Sequence, residues 1–130
     1  MDSGAIRRRL AVGLAVLTTS ALLAVAAPTT AQAADPTRCE GRKVKTYSFS
    51  TGTLYVYKKR GHVCAIVRPE RPGRRQTMKV SVQAYRANRV ADEGQYTLRA
   101  GPVTVHAGQR CVWVTGRVGS GSVSRGWILC

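Results

Sequence analysis

From about residue 44 onward, apolar side chains recur either at every second position or in short unbroken runs, and no window carries the 3.6-residue period of an amphipathic helix. The clearest case is Met78, Val80, Val82 and Ala84 alternating with Lys79, Ser81, Gln83 and Tyr85, which predicts a strand with one wet face. Leu54 to Lys59, rich in β-branched and aromatic residues, predicts a second strand; Ser50-Thr51-Gly52-Thr53 would turn it back on Val44 to Phe49. Val63 to Val67 is apolar on both faces and predicts a central strand entered through the turn Arg60-Gly61-His62. Gln95 to Arg99, Val103 to Val105, Arg110 to Val118 and Val123 to Leu129 complete the set. Between them stand Ala100-Gly101-Pro102, Ala107-Gly108 and Gly119-Ser120-Gly121. About seven or eight short strands at this spacing predict an all-β domain, a small antiparallel β-sandwich or Greek-key barrel.

One segment refuses the pattern. Arg68-Pro69-Glu70-Arg71-Pro72-Gly73-Arg74-Arg75 places two prolines and a glycine in a run of strong charge, so it reads as a protruding basic loop rather than a strand.

The first 33 residues belong to a different class. Arg7, Arg8 and Arg9 precede an apolar run from Leu10 to Ala27, and Ala31-Gln32-Ala33 supplies a small-residue cleavage site. This predicts a signal peptide over residues 1–33 and a secreted β domain over residues 34–130. Retention of the segment as a membrane anchor is the competing reading, opposed by Thr18, Thr19 and Ser20 in its middle. No second apolar segment follows, so the cleaved product would have no integral membrane segment.

Export changes how the cysteines are read. Outside the reducing cytoplasm, Cys39, Cys64, Cys111 and Cys130 are expected to form two disulfides that staple a domain with a thin core. Four cysteines allow three pairings. The favoured one joins Cys39 to Cys64 and Cys111 to Cys130, since each bond closes a modest loop and ties a chain end to a strand.

Charge narrows the choice of partner. The chain carries 21 Lys plus Arg against 6 Asp plus Glu, a formal charge of +15. Removal of residues 1–33 takes Arg7, Arg8, Arg9 and Asp2 with it and leaves +13. The excess is spread along the chain, which describes the field of a folded surface and points to polyanions: anionic cell-wall polymers, anionic lipid surfaces, nucleic acid or acidic proteins, among which charge alone does not choose. Tyr55 and Tyr57 share one strand face that runs into Lys58, Lys59 and Arg60. With Arg68, Arg71, Arg74 and Arg75 they form the candidate polyanion-binding set, provided the two hairpins share an end. The plainer reading makes the tyrosines packing residues and the cations merely exposed. Trp113 and Trp127, each in a strand close to a cysteine, are read as core anchors.

Reactive constellations are scarce. No two cysteines have the close spacing that wraps a zinc ion, and His62 and His106 each stand beside a turn glycine, so no metal site or cofactor is expected. Asp92 and Glu93 are neighbours in a predicted turn and would diverge rather than converge on one bond. Ser48, Ser50, Ser120, Ser122 and Ser124 lie in no nucleophile elbow. The chain therefore reads as no enzyme, with no catalytic residues. Asp92-x-Gly94-x-Tyr96 is similar to the tyrosine corner of immunoglobulin-type sandwiches, although Leu98 stands where a cysteine belongs.

Several landmarks occur together: Gly52-Thr53-Leu54-Tyr55-Val56-Tyr57, Cys64, Ala84-Tyr85, Val90-Ala91-Asp92-Glu93-Gly94-Gln95-Tyr96, Ala100-Gly101-Pro102-Val103, Cys111-Val112-Trp113 and Cys130. From about Gly52 onward the chain resembles small secreted actinobacterial proteins of the spore-associated protein A type. The resemblance implies a secreted protein found with a spore or aerial cell surface, and carries over no catalytic residues. The expected function is a noncatalytic basic protein associating electrostatically with an anionic cell-wall, spore or sheath surface. The alternative is an inhibitor of a secreted trypsin-like protease that presents loop 68–75.

Overall fold

The computed structural model describes residues 35–130; the predicted signal peptide over residues 1–33 lies outside the described residues. Eight strands follow in chain order: β1 (Arg42–Phe49), β2 (Gly52–Lys59), β3 (His62–Pro69), β4 (Gln76–Ala84), β5 (Arg89–Tyr96), β6 (Ala100–His106), β7 (Val112–Val118) and β8 (Gly121–Ile128). They form two four-stranded antiparallel sheets, β1-β2-β3-β6 and β5-β4-β7-β8. The architecture is thus a β-sandwich, and the closed-barrel alternative is set aside. The chain crosses between sheets after β3, β5 and β6, so that β3 pairs with β6 and β4 pairs with β7.

Alternation places the core. Leu54 and Val56 of β2, Val63, Ala65 and Val67 of β3, Met78, Val80 and Val82 of β4, and Val112, Val114 and Val118 of β7 are buried between the sheets. Most of these are valines, whose stiff branched side chains suit a pleated surface but fill little depth. Gly116 lets the sheets meet where Leu54 needs room, because a Cβ there would stand 3.1 Å from Leu54 Cβ and 3.2 Å from Val67 Cγ2. As predicted, β3 is an interior strand buried on both faces, Cys64 and Ile66 filling its outer side.

Both favoured disulfides are present. Cys39–Cys64 ties the segment before β1 to the middle of sheet β1-β2-β3-β6, and Cys111–Cys130 closes the open end of the β7–β8 hairpin. No free cysteine remains among the described residues.

The largest departures from the sequence-based expectation are at β5 and at the end of β3; β6 also begins earlier, taking in Ala100-Gly101-Pro102. Strand β5 begins at Arg89 and ends at Tyr96, whereas Gln95 to Arg99 was the predicted span. In Val90-Ala91-Asp92-Glu93 the apolar pair is exposed and Asp92 is half-buried, because β5 is an edge strand, so its period-two signal is weak. Strand β3 also runs on through Arg68 and Pro69, since Pro69 lies at the strand's last position; the basic loop proper is residues 70–75.

Candidate functional site

The β2–β3 register decides how the predicted cations are arranged. Lys59 faces His62 beside the turn at Arg60-Gly61, while Gly52 faces Pro69 at the opposite end of the hairpin. The cluster Lys58, Lys59 and Arg60 therefore sits at one pole of the sandwich and the loop from Glu70 to Arg75 at the other. Eight-residue strands separate them by about 23 Å. The two groups do not share an end, and no single patch unites them.

At the loop pole, Arg68, Arg71, Arg74 and Arg75 are all exposed, and Glu70 is the acid within their loop. The loop is anchored at two points. The Glu70 amide donates to the Thr51 carbonyl at 2.9 Å, and the Gly73 amide donates to the Thr97 carbonyl at 2.8 Å. Gln76 adds a longer bond to the Arg71 carbonyl. Arg117, exposed on β7 opposite Lys79, donates from Nε to the Gly119 carbonyl at 3.0 Å. The ion pair found among the described residues is Lys59–Glu40, at 3.7 Å, so the loop arginines hold no carboxylate.

At the turn pole, Tyr55 and Tyr57 are half-buried on the outer face of sheet β1-β2-β3-β6, pointing away from the core formed by Leu54 and Val56. Lys43 Nζ stands 4.9 Å from the Tyr55 ring centre. The cation at the Tyr55 ring is thus Lys43 of β1 rather than Lys58, Lys59 or Arg60, and Lys59 is paired with Glu40.

A third surface escaped the sequence reading. Trp113 and Trp127 are not core anchors: they are 37% and 41% exposed, with Tyr85 beside them at 45%. Trp127 meets Tyr85 edge-on with ring centres 5.2 Å apart, and meets Trp113 edge-on at 5.5 Å. Trp113 Nε1 donates to Ser124 Oγ at 2.8 Å. A signal for Trp113 was available, since it alternates with Val112 and Val114, both buried.

The acid and base candidates are also separated. His62 and His106 face each other across β3 and β6, ring centres 4.8 Å apart, whereas Asp92 and Glu93 belong to β5 of the other sheet. Asp92 is bound internally. Asp92, Gly94 and Tyr96 lie on one face of β5, and the Tyr96 ring folds back over Gly94 so that its hydroxyl donates to Asp92 Oδ1 at 2.6 Å. The Gly101 amide of β6 donates to Asp92 Oδ2 at 2.8 Å, stitching the two sheets together. The motif is thus a carboxylate clasp at the β5–β6 crossover, unlike a tyrosine corner, in which the phenol bonds to backbone. A cavity of about 270 Å³ opens beside it, lined by Asp92, Tyr96, Thr97, Leu98, Arg99 and Gly101.

The bond to Asp92 raises the pKa of the Tyr96 phenol above its usual value, with partial desolvation and the carboxylate charge adding to the effect. A phenol that holds its proton more tightly when folded contributes stability below its unfolded pKa of about 10, and that contribution is lost as pH rises through the folded value. Stability of the native chain should therefore fall in alkaline solution beyond about pH 10. Tyr96→Phe should melt at a lower temperature near neutrality and show a flatter alkaline decline, which thermal melts from pH 7 to 11 would measure.

Among the described residues, no group of three or more His, Cys, Asp or Glu is placed to hold a metal ion, and no helix is long and apolar enough to cross a membrane. No family model, no curated protein and no solved structure matches this chain.

Proposed function

We propose that this chain is an exported, noncatalytic β-sandwich that attaches electrostatically to an anionic polymer of a cell-wall, spore or sheath surface. The observation that carries the reading is the loop pole: Arg71, Arg74 and Arg75 are exposed on an anchored loop that continues from the exposed Arg68 near the end of β3. Arginine suits such contacts because its planar fork matches phosphate and carboxylate oxygens in pairs. The two disulfides fit a compartment outside the reducing cytoplasm, where polymers of this kind are displayed.

Counterion release makes the test quantitative. Association with wall polymer should weaken linearly in log salt, and molar salt should strip the protein from whole cells. Replacing Arg71, Arg74 and Arg75 together by alanine should reduce the salt slope by about 2, at roughly 0.7 per lost contact to a flexible polyanion. Retention of the native protein in molar salt would refute the electrostatic reading, as would an unchanged slope in the triple variant.

A further inference from the structure

The aromatic cluster on sheet β5-β4-β7-β8 is built at a cost to the backbone. Pairing of β7 with β8 slips by one residue between Val112 and Val114, so Gly126 and Trp127 together oppose Trp113. At this bulge Trp127 adopts φ +48°, a left-handed conformation that disfavours a bulky side chain. Gly126 supplies the floor, because a Cβ there would overlap the six-membered ring of Trp113. Bulges re-aim side chains, and this one turns Trp127 out against Trp113 and Tyr85 instead of leaving it in register. A small domain with a core of valines has kept its only two tryptophans on its surface. Burial would have stabilised it more.

We infer that Tyr85, Trp113 and Trp127 form a binding site for the sugar rings of an acidic polysaccharide. The edge-to-face packing offers separate single ring faces, which suit the C–H faces of pyranose rings, and does not form the parallel-walled slot that clasps a flat base. Hydroxyls continue the surface along the hairpin: Ser124 holds the Trp113 indole, and Thr115 lies 3.2 Å from Ser124. The charge around the cluster is complementary to an acidic chain. Arg86 stands 5.6 Å from the Tyr85 ring centre, and Arg110 donates to the Tyr85 carbonyl. The site is separate from the arginine loop at the far pole, so the two can be tested apart.

Both tryptophans of the chain lie in this cluster, so tryptophan emission, excited at wavelengths that tyrosine does not absorb, reads it alone. The oxidised protein would be titrated with polygalacturonate, with polyphosphate, which has charge but no rings, and with oligo(dT). Polygalacturonate should shift the emission, whereas polyphosphate should bind without moving it. Tyr85→Ala leaves both tryptophans as reporters and should weaken polygalacturonate binding about tenfold, the order expected for one lost stacking face. Trp127→Ala should do the same while leaving polyphosphate affinity unchanged. Alanine at Arg71, Arg74 and Arg75 should weaken polyphosphate and preserve the polygalacturonate shift, so failure of one site is distinguishable from failure of the other. The inference is overturned if polyphosphate moves the emission equally, or if oligo(dT) moves it and polygalacturonate does not. It is likewise overturned if Tyr85→Ala binds polygalacturonate as tightly as the parent, or if emission follows protein concentration alone, which would mark a self-association face.

Discussion

Replacement of Cys111 and Cys130 by serine should cost about 3 kcal/mol of folding stability, the chain-entropy value for releasing a loop of this size. The two residues are 19 apart in the chain, and the bond closes the end of the β7–β8 hairpin from which Trp113 and Trp127 project. Loss of the tether should therefore show twice: a lower urea midpoint, and altered tryptophan emission before global unfolding. The other disulfide, Cys39–Cys64, spans 25 residues and should be worth about 3.5 kcal/mol by the same reasoning. It lies on the opposite sheet, so its serine variant should unfold earlier without disturbing the native emission. Against a typical total of about 5 to 15 kcal/mol for a single domain, loss of both bonds would remove much of the margin. If either serine pair unfolded at the parent's urea midpoint, the view of this fold as stapled would fail.

Leu54→Ala is expected to cost about 3 to 5 kcal/mol, at the upper part of the range for a buried leucine. Leu54 is fully buried and is among the few large side chains in a core made chiefly of valine and alanine. Its neighbour across the sandwich is Gly116, which has no side chain to swing into the void. The stiff valines around it, Val67 among them, have little freedom to collapse inward. Thr53→Ala, one position away on the solvent face of β2, serves as the control and should stay within about 0.5 kcal/mol of the parent. Equilibrium urea denaturation of the three proteins would measure both. A loss at Leu54 no greater than that at Thr53 would mean that the inner and outer faces of β2 have been assigned the wrong way round.

Much of the fold was legible because a strand writes its two faces alternately into the chain. Met78, Val80, Val82 and Ala84 declared the inner face of β4, and the continuous run from Val63 to Val67 declared an interior strand. Strand β5 was not legible in the same way. Its position at a sheet edge freed Arg89, Val90 and Ala91 from burial, while Asp92 and Tyr96 turned inward to serve a clasp that reaches the other sheet. The candidate site was read only in part. The separation of Lys58-Lys59-Arg60 from the arginine loop follows from the antiparallel sense of β2 and β3, and a strict application of hairpin geometry to the chain gives it. Trp113 was likewise recoverable from its phase against Val112 and Val114. Trp127 was not, because the bulge at Gly126–Trp127 breaks the phase that any count along β8 would use.

The chain alone determined the class of fold, the alternation that builds the core and an excess of positive charge distributed over a small surface. These are sums or periods of local preferences, and they survive without knowledge of what lies opposite. Tertiary structure alone decided which cations are neighbours, that Asp92 joins two sheets, and that two tryptophans face solvent beside Tyr85. Each of those depends on register between segments distant in sequence, where a one-residue slip carries a side chain from core to surface.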